Sequence, residues 1–295
     1  MQLLIFLLAY PLIWLISILP FPVLYVLSDC TYILIYRIIG YRKRTVRQNL
    51  ALAFPHKSAA ERLEIEKKSY KHLCDMFLEM AKTMTISKAE INRRYTIKNL
   101  DFYLQMEAKP KSIALLCAHY ASYEWAISMN SHIRYTGYAI YKKLGNRYLD
   151  RLVRKIRSRF NAELITTKEV GPTIEQNEKN GVHAVYGFAS DQSPKASKAF
   201  HWTNFMGIHT PVHTGGEMFA KRYDMTVLFL KATKVKRGYY EAQFQLISEN
   251  PKEVPDYQIT DEFLRRVELQ IAEAPEYYLW THKRWKHSIA EKTIA

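Results

Sequence analysis

Residues 113–125 read IALLCAHYASYEW. Six small or apolar residues, Ile113 to Ala118, stop at His119, and Glu124 comes five positions later. A short apolar run of this length predicts a buried strand, and Tyr123 to His132 predicts the helix after it. Outward from there, Tyr138–Tyr141, Val182–Ala189, Thr226–Ala232 and Tyr239–Ile247 read as further strands, the last by alternation. Tyr148–Phe160, Thr214–Arg222 and Thr260–Ala274 read as helices. Ser58–Met84 reads as another. It opens with the capping box Ser58/Glu61 and carries Leu63, Tyr70, Leu73, Phe77, Met80 and Met84 at helical spacing. Strands alternating with helices predict an α/β fold, a central sheet flanked by helices with antiparallel character near its end.

The chain has 295 residues, 48% of them hydrophobic, so one sizeable core is within reach. Its net charge of +15 predicts an anionic partner. Cys30, Cys74 and Cys117 are scattered, which predicts neither a disulfide framework nor a zinc site. Up to Tyr36 the only charged side chain is Asp29. The uncharged run from Gln2 to Leu19, about 27 Å long as a helix, predicts a membrane-anchoring helix. Pro20 and Pro22 break it, and the second apolar stretch, Val23–Gly40, is expected to lie at the interface or to pack on the domain. Arg37, Arg42, Lys43, Arg44 and Arg47 then place this flank in the cytoplasm. The expected organisation is an anchor over 1–40 and a catalytic domain over 41–295.

On an ideal helix His119 and Glu124 would point about 140° apart. They can meet only if His119 sits at the strand end and Glu124 lies in the next helix. Glu124 would then fix the imidazole tautomer and leave the other nitrogen as a general base. Cys117, two residues before His119, is expected to be a core thiol. His201, His209 and His213 lie together in sequence, but without the acids or cysteines that a metal site would add.

HYASYEW, placed after a short apolar strand in a chain with an apolar N-terminus, resembles the H-x4-D/E pattern of lysophospholipid acyltransferases. More specifically, the chain is similar to the bacterial lipid A biosynthesis (late) acyltransferase family. RKRTVRQNLALAFPHKSAAER, YKKLGNRYLDRLVRKIRSRFNAELI, SDQSPKASKAF and PEYYLWTHKRWK resemble further segments of that family, in its order and over nearly the whole chain. The resemblance implies a glycerolipid-acyltransferase-like fold and His119 and Glu124 as the catalytic dyad. It also implies Arg157, with Arg159 and Arg154 beside it, and Asp191 as substrate-binding, oxyanion or structural support. No metal or cofactor is implied. Two departures, YKK at Tyr141–Lys143 and NFMG at Asn204–Gly207, touch acceptor or acyl-chain contacts rather than the dyad.

The expected reaction is O-acyl transfer without a covalent acyl-enzyme. His119 takes the proton of an acceptor hydroxyl, which attacks an acyl thioester, with acyl carrier protein as the expected donor. The expected acceptor is a phosphorylated glycolipid precursor of lipid A, and the expected location is the bacterial inner membrane with the catalytic domain on the cytoplasmic side. Arg157 is expected either to pair with Asp191 or to bind a phosphate or the oxyanion. Between Lys142 and Arg159 eight Lys/Arg face one Asp, a surface suited to lipid phosphates, an anionic membrane or an acidic carrier protein. Ser193, Lys195 and Lys198 are candidates for the pocket lining. Trp280, His282, Arg284 and Trp285 are expected to pack near the membrane interface. A different acceptor, a lyso-aminolipid or lysophospholipid, is the alternative within the chemistry. A non-enzymatic basic scaffold or nucleic-acid binder is the alternative outside it. Against the latter, the basic residues are spread over several helices with no recognition motif.

Overall fold

The computed structural model describes residues 1–288. Strands β1 (Tyr95–Ile97), β2 (Ile113–Cys117), β3 (Thr136–Tyr141), β4 (Ala162–Thr166), β5 (Ala184–Ala189), β6 (His201–Phe205), β7 (Ile208–Val212), β8 (Thr226–Lys236) and β9 (Tyr239–Ser248) form two sheets. Seven of them make the main sheet in the order β1-β9-β8-β2-β5-β3-β4, and β6 and β7 make a separate hairpin. Every pairing in the main sheet is parallel except the β8–β9 hairpin, so the sheet is mixed, as expected. The helices are α1 (Gln2–Ile18), α2 (Phe21–Tyr32), α3 (Lys43–Ala53), α4 (Ala59–Lys82), α5 (Lys88–Arg94), α6 (Leu100–Glu107), α7 (Arg147–Arg157), α8 (Val170–Lys179), α9 (Gly215–Tyr223) and α10 (Gln258–Glu273).

Central β2 is the most enclosed strand. Ile113, Ala114, Leu115 and Leu116 are all buried, because parallel neighbours flank it and helices cover both faces. α4 begins as expected, with Ser58 Oγ accepting from Glu61 N and Glu61 returning the bond to Ser58 N at 2.7 Å. One expected helix is much reduced. In place of Tyr123–His132 there is only a 3-10 segment, Trp125–Ser131. The reason is local. Ala121 sits at φ +49°, with its N–H given to the Tyr277 carbonyl at 3.0 Å, so no helix can run through it, and the residues after it close tighter three-residue turns, Trp125 N–H to Ser122 and Ala126 N–H to Tyr123. β1, β4 and the β6–β7 hairpin were not legible as strands, being too short for a period to show.

At the N-terminus the second apolar stretch packs on the domain, one of the two placements expected for it. α2 runs on as a π-helix, Ile33–Ile39, and together Phe21–Ile39 gives 19 residues, long and apolar enough to cross a membrane. α1, at 17 residues, falls short by length. Phe21, Leu24, Ser28, Tyr32 and Tyr36 recur three or four apart and are buried, while Val23, Val26, Ile33 and Ile38 on the other side are exposed. The buried stripe rests on α4. Ser28 Oγ donates to Asp75 at 2.7 Å, Tyr25 to Glu79 at 2.9 Å and Tyr36 to Glu66 at 3.0 Å. Arg237, in the β8–β9 turn, spans Asp75 and Asp29 at 2.7 Å each. Gly238, next in the chain, has φ +74°, and a Cβ there would lie 1.8 Å from the Tyr25 hydroxyl, so this close approach requires glycine.

Candidate active site

The parallel register of β2 and β5 sets the site. Cys117 lies opposite Ala189, so the residues two past each strand end, His119 and Asp191, emerge side by side at the carboxyl edge of the sheet. That edge is where open α/β sheets place ligand crevices. His119 Nδ1 is 2.7 Å from Asp191 Oδ1, and Asp191 is buried at 1% exposure. An ionised carboxylate only accepts, so Nδ1 carries the proton and donates it. Nε2 then has its lone pair free. Burial disfavours the imidazolium, but the charge and hydrogen bond of Asp191, with Glu124 adding, outweigh it, and the pKa of His119 is raised. For Asp191, burial opposes the charge and His119 again outweighs it, so its pKa is lowered.

The direct pairing of His119 with Glu124 is therefore corrected. Glu124, buried beside Trp125, forms a bidentate pair with Arg157 at the end of α7, with Oε1–Nη2 at 2.5 Å and Oε2–Nε at 2.9 Å. Asp191 has taken the place that the spacing assigned to Glu124, because it lies one strand away and in register. The pairing of Arg157 with Asp191 is corrected by the same contacts. Arg157 keeps a raised pKa, its burial outweighed by the charge of Glu124. Glu124 still acts on His119 through space. Arg159 and Arg154 do not reach His119. Arg159 holds the carbonyls of Thr83 and, at 2.9 Å, Ile86, and exposed Arg154 reaches the Leu164 carbonyl at 3.4 Å.

His119 lines a half-open cleft whose empty space, about 340 Å³, includes the solvent at its open mouth. Its walls come from α3 (Val46), α4 (Ser69, Tyr70, Leu73, Met76) and the segment Tyr277–Thr281. Tyr123 stands edge-on to the His119 ring, with centroids 4.9 Å apart. Cys117 is a core thiol, as expected, and burial drives its pKa up to about 12, so no thiolate is offered.

The C-terminal motif packs into the core: Trp280, Arg284 and Trp285 are buried within the protein. Trp280 packs edge-on to Phe54, and Trp285 stacks on Phe205. His282 Nε2 accepts from the Ser193 N–H at 3.3 Å, which anchors the loop carrying Asp191, and burial pulls its pKa down to about 4. Tyr278 donates to the Asp191 carbonyl at 3.4 Å. Ser193 is thus beneath the site, while Lys195 and Lys198 are exposed and line no part of the cleft. The aromatic density of 277–285 was the signal that could have placed this segment in the core beside Asp191. His201 pairs with Asp261 at 2.8 Å and His209 stacks on Trp202, and among the described residues no group of three or more His, Cys, Asp or Glu could hold a metal ion.

Comparison with known proteins gives a concordant result. The model of the family described as bacterial lipid A biosynthesis acyltransferase matches residues 2–287. The lipid A biosynthesis lauroyltransferase of Escherichia coli (strain K12) is 25% identical over 281 residues, covering 93% of this chain and 89% of that protein. The lipid A biosynthesis palmitoleoyltransferase of the same organism and the lipid A biosynthesis acyltransferase of Shigella flexneri are each 23% identical over 276 residues, covering 93% of this chain and 88% of each of those proteins.

Proposed function

The chain belongs to the bacterial lipid A biosynthesis acyltransferase family, and from that premise we propose that it transfers one fatty acyl chain from an acyl thioester to a hydroxyl of a lipid A precursor, with His119 as the general base. The observation that carries this reading is the in-register pair at the strand ends, with a raised-pKa imidazole presenting a free Nε2 in a largely apolar cleft. Nε2 takes the proton as the acceptor oxygen attacks the thioester carbon. The tetrahedral oxyanion collapses, the carbon–sulfur bond breaks, and the imidazolium returns its proton to the leaving thiolate. The products are an ester and a free thiol. Asp191 fixes the tautomer and balances the imidazolium. The ion pair of Glu124 and Arg157 braces the wall beside it.

The same reading puts the protein on the cytoplasmic side of the inner membrane, held by its N-terminal helices, with acyl carrier protein as donor. Support comes from the apolar Phe21–Ile39 segment and its basic flank. It comes also from the exposed Lys142, Lys143, Arg147, Arg151, Arg154, Lys155 and Arg159. α1 lies against this basic stretch, with Gln2 bonded to Gly145 at 3.2 Å and Phe6 stacked on Tyr148, so exposed apolar and cationic surfaces adjoin. That combination suits an anionic, phosphate-bearing lipid surface.

The test is acyl transfer by membranes containing the full-length protein, supplied with acyl carrier protein thioester and a tetra-acylated, phosphorylated lipid A precursor. Mass spectrometry should show the acceptor heavier by one acyl chain. No gain with this acceptor, and gain with a lysophospholipid instead, would reject the acceptor and keep the reaction. No gain with any hydroxyl lipid would reject the reaction.

The cleft also predicts how chain length is selected. Ser69 is a small residue among its apolar neighbours. On this reading the transferred chain enters beside Ser69, and in Ser69→Leu the added carbons narrow its path. Competition between donors two carbons apart should then favour the shorter, with the ratio of kcat/KM values shifting by roughly 10-fold or more. An unchanged ratio would place the acyl chain elsewhere.

A further inference from the structure

A second histidine stands behind the His119 loop, and the proposed chemistry does not use it. His72, on α4, is buried and shares the cleft wall with His119. Both of its ring nitrogens are engaged. Nε2 is 3.3 Å from the Ala121 carbonyl and Nδ1 is 3.2 Å from Lys234 Nζ. An ammonium has donors only, so Nδ1 must be the bare nitrogen. The proton then sits on Nε2 and is donated to Ala121. Lys234 is itself enclosed, 3.6 Å from Asp75, with its charge 5.3 Å from the Tyr277 ring centroid.

Ala121 is the residue at the other end of this bond. Its positive φ is one that an L-residue keeps only when its surroundings impose it. The surroundings here are two bonds, Ala121 N–H to the Tyr277 carbonyl at 3.0 Å and His72 to the Ala121 carbonyl. The segment between His119 and Glu124 is therefore gripped from the C-terminal segment on one side and from α4 on the other.

We propose that His72 is a positioning residue for acyl transfer: held in its Nε2–H tautomer by Lys234, it clamps the Ala121 carbonyl and so sets the loop from which His119 and Glu124 project. This rests on the acyltransferase reading of His119. The groups around His72 are Lys234 on β8, Asp75 and Glu79 on its own helix, Tyr240 on β9, Tyr277, and His119 across the cleft. Burial first, and then the Lys234 charge, hold the pKa of His72 well below the ordinary imidazole range. The ring is thus neutral wherever His119 works as a base, and it lines an acyl cleft without placing a charge in it.

The test compares His72→Phe, which keeps a ring and removes the donor, with His72→Gln, which keeps a side-chain N–H. Both are made in the full-length protein in membranes. His72→Phe should lower kcat by roughly 10–100-fold with KM nearly unchanged, because the loop shifts by a fraction of an ångström to an ångström. His72→Gln should recover most of that loss. A readout independent of turnover is ¹⁵N NMR of histidine-labelled protein in micelles, with the His72 signal assigned by its loss in His72→Gln. Wild type should show a neutral Nε2–H imidazole through the whole imidazole range, and Lys234→Met should move its titration to higher pH. Undiminished kcat in His72→Phe, equal losses in Phe and Gln at unchanged melting temperature, or an Nδ1–H or charged His72 would each overturn the proposal. Should the wild type transfer no acyl chain to any lipid, the acyltransferase reading fails instead, and the NMR still decides the clamp.

Discussion

His119→Ala will lower acyl transfer by at least the roughly 10²–10⁴-fold that a positioned general base contributes, with the protein still folded and bound to membranes. Asp191→Asn will fall by a comparable factor for a different reason. An asparagine can donate to Nδ1, which stabilises the tautomer with its proton on Nε2 and turns the basic lone pair away from the cleft. The pH profile separates the two roles. As a base, His119 must be unprotonated, so wild-type kcat/KM should rise with pH through an acid limb lying above the usual imidazole value of about 6.5, because its pKa is raised. Removing Asp191 takes away the charge and hydrogen bond that do most to raise it and leaves burial, the strongest influence, together with the Arg157 charge, both lowering it against the weaker Glu124 charge. The residual activity of Asp191→Asn should therefore show an acid limb shifted to lower pH. The stability linkage runs the other way. A raised histidine pKa stabilises the fold below its unfolded value and loses that contribution as pH rises through the folded one. Wild type minus Asp191→Asn stability should thus shrink on going from about pH 6 to alkaline pH. Kinetics measured from acid to mildly alkaline pH, beside thermal melts at the same values, check both signs. An acid limb unmoved in Asp191→Asn would remove Asp191 from the mechanism.

The range of each signal decided what was legible in the sequence and what was hidden. β2 was legible because six consecutive apolar residues have few other homes, and α4 because its cap and stripe are local. The strand end at His119 was legible for the same reason. Its partner was not. His119 and Asp191 are 72 positions apart, and they meet only because Cys117 pairs with Ala189 in a parallel register that no local period reports. Glu124, near in sequence, was the natural candidate. It was displaced because the loop turns through a left-handed Ala121 and delivers the carboxylate to Arg157 instead. The burial of the C-terminal aromatics was hidden in a related way. Tryptophan and arginine together suit a membrane interface, yet a buried Arg284 bonded to Thr210 and Pro211 serves the same composition inside a core.

Arg157→Ala should destabilise the protein by about 3 kcal/mol, because it leaves the Glu124 carboxylate buried without its cation. The lower end of the usual ~3–5 kcal/mol range applies, since the Arg157 side chain retains 23% exposure and water can reach it. In a chain of 295 residues that corresponds to a melting temperature lower by roughly 5 °C. Arg157→Lys should recover only part of this. A lysine offers a point charge, whereas Glu124 here accepts two parallel bonds from one planar guanidinium. The decisive variant is the double one, Glu124→Gln with Arg157→Met, which removes both charges and keeps the volume. A buried pair exchanged for neutral groups of similar size is often close to neutral in stability, so the melting temperature should return to within a few degrees of wild type. The coupling from the double-mutant cycle then isolates the pair from its neighbours. Activity in that restored protein separates two roles. If turnover returns with stability, the pair is a strut that holds the wall beside His119. If turnover stays low in a protein as stable as wild type, one of the two charges acts on the substrate or the oxyanion. Glu124 raises the His119 pKa and Arg157 lowers it. Removing both charges opposes one shift with the other, so the acid limb of the double variant should stay close to that of wild type, and turnover is the readout that separates the two roles.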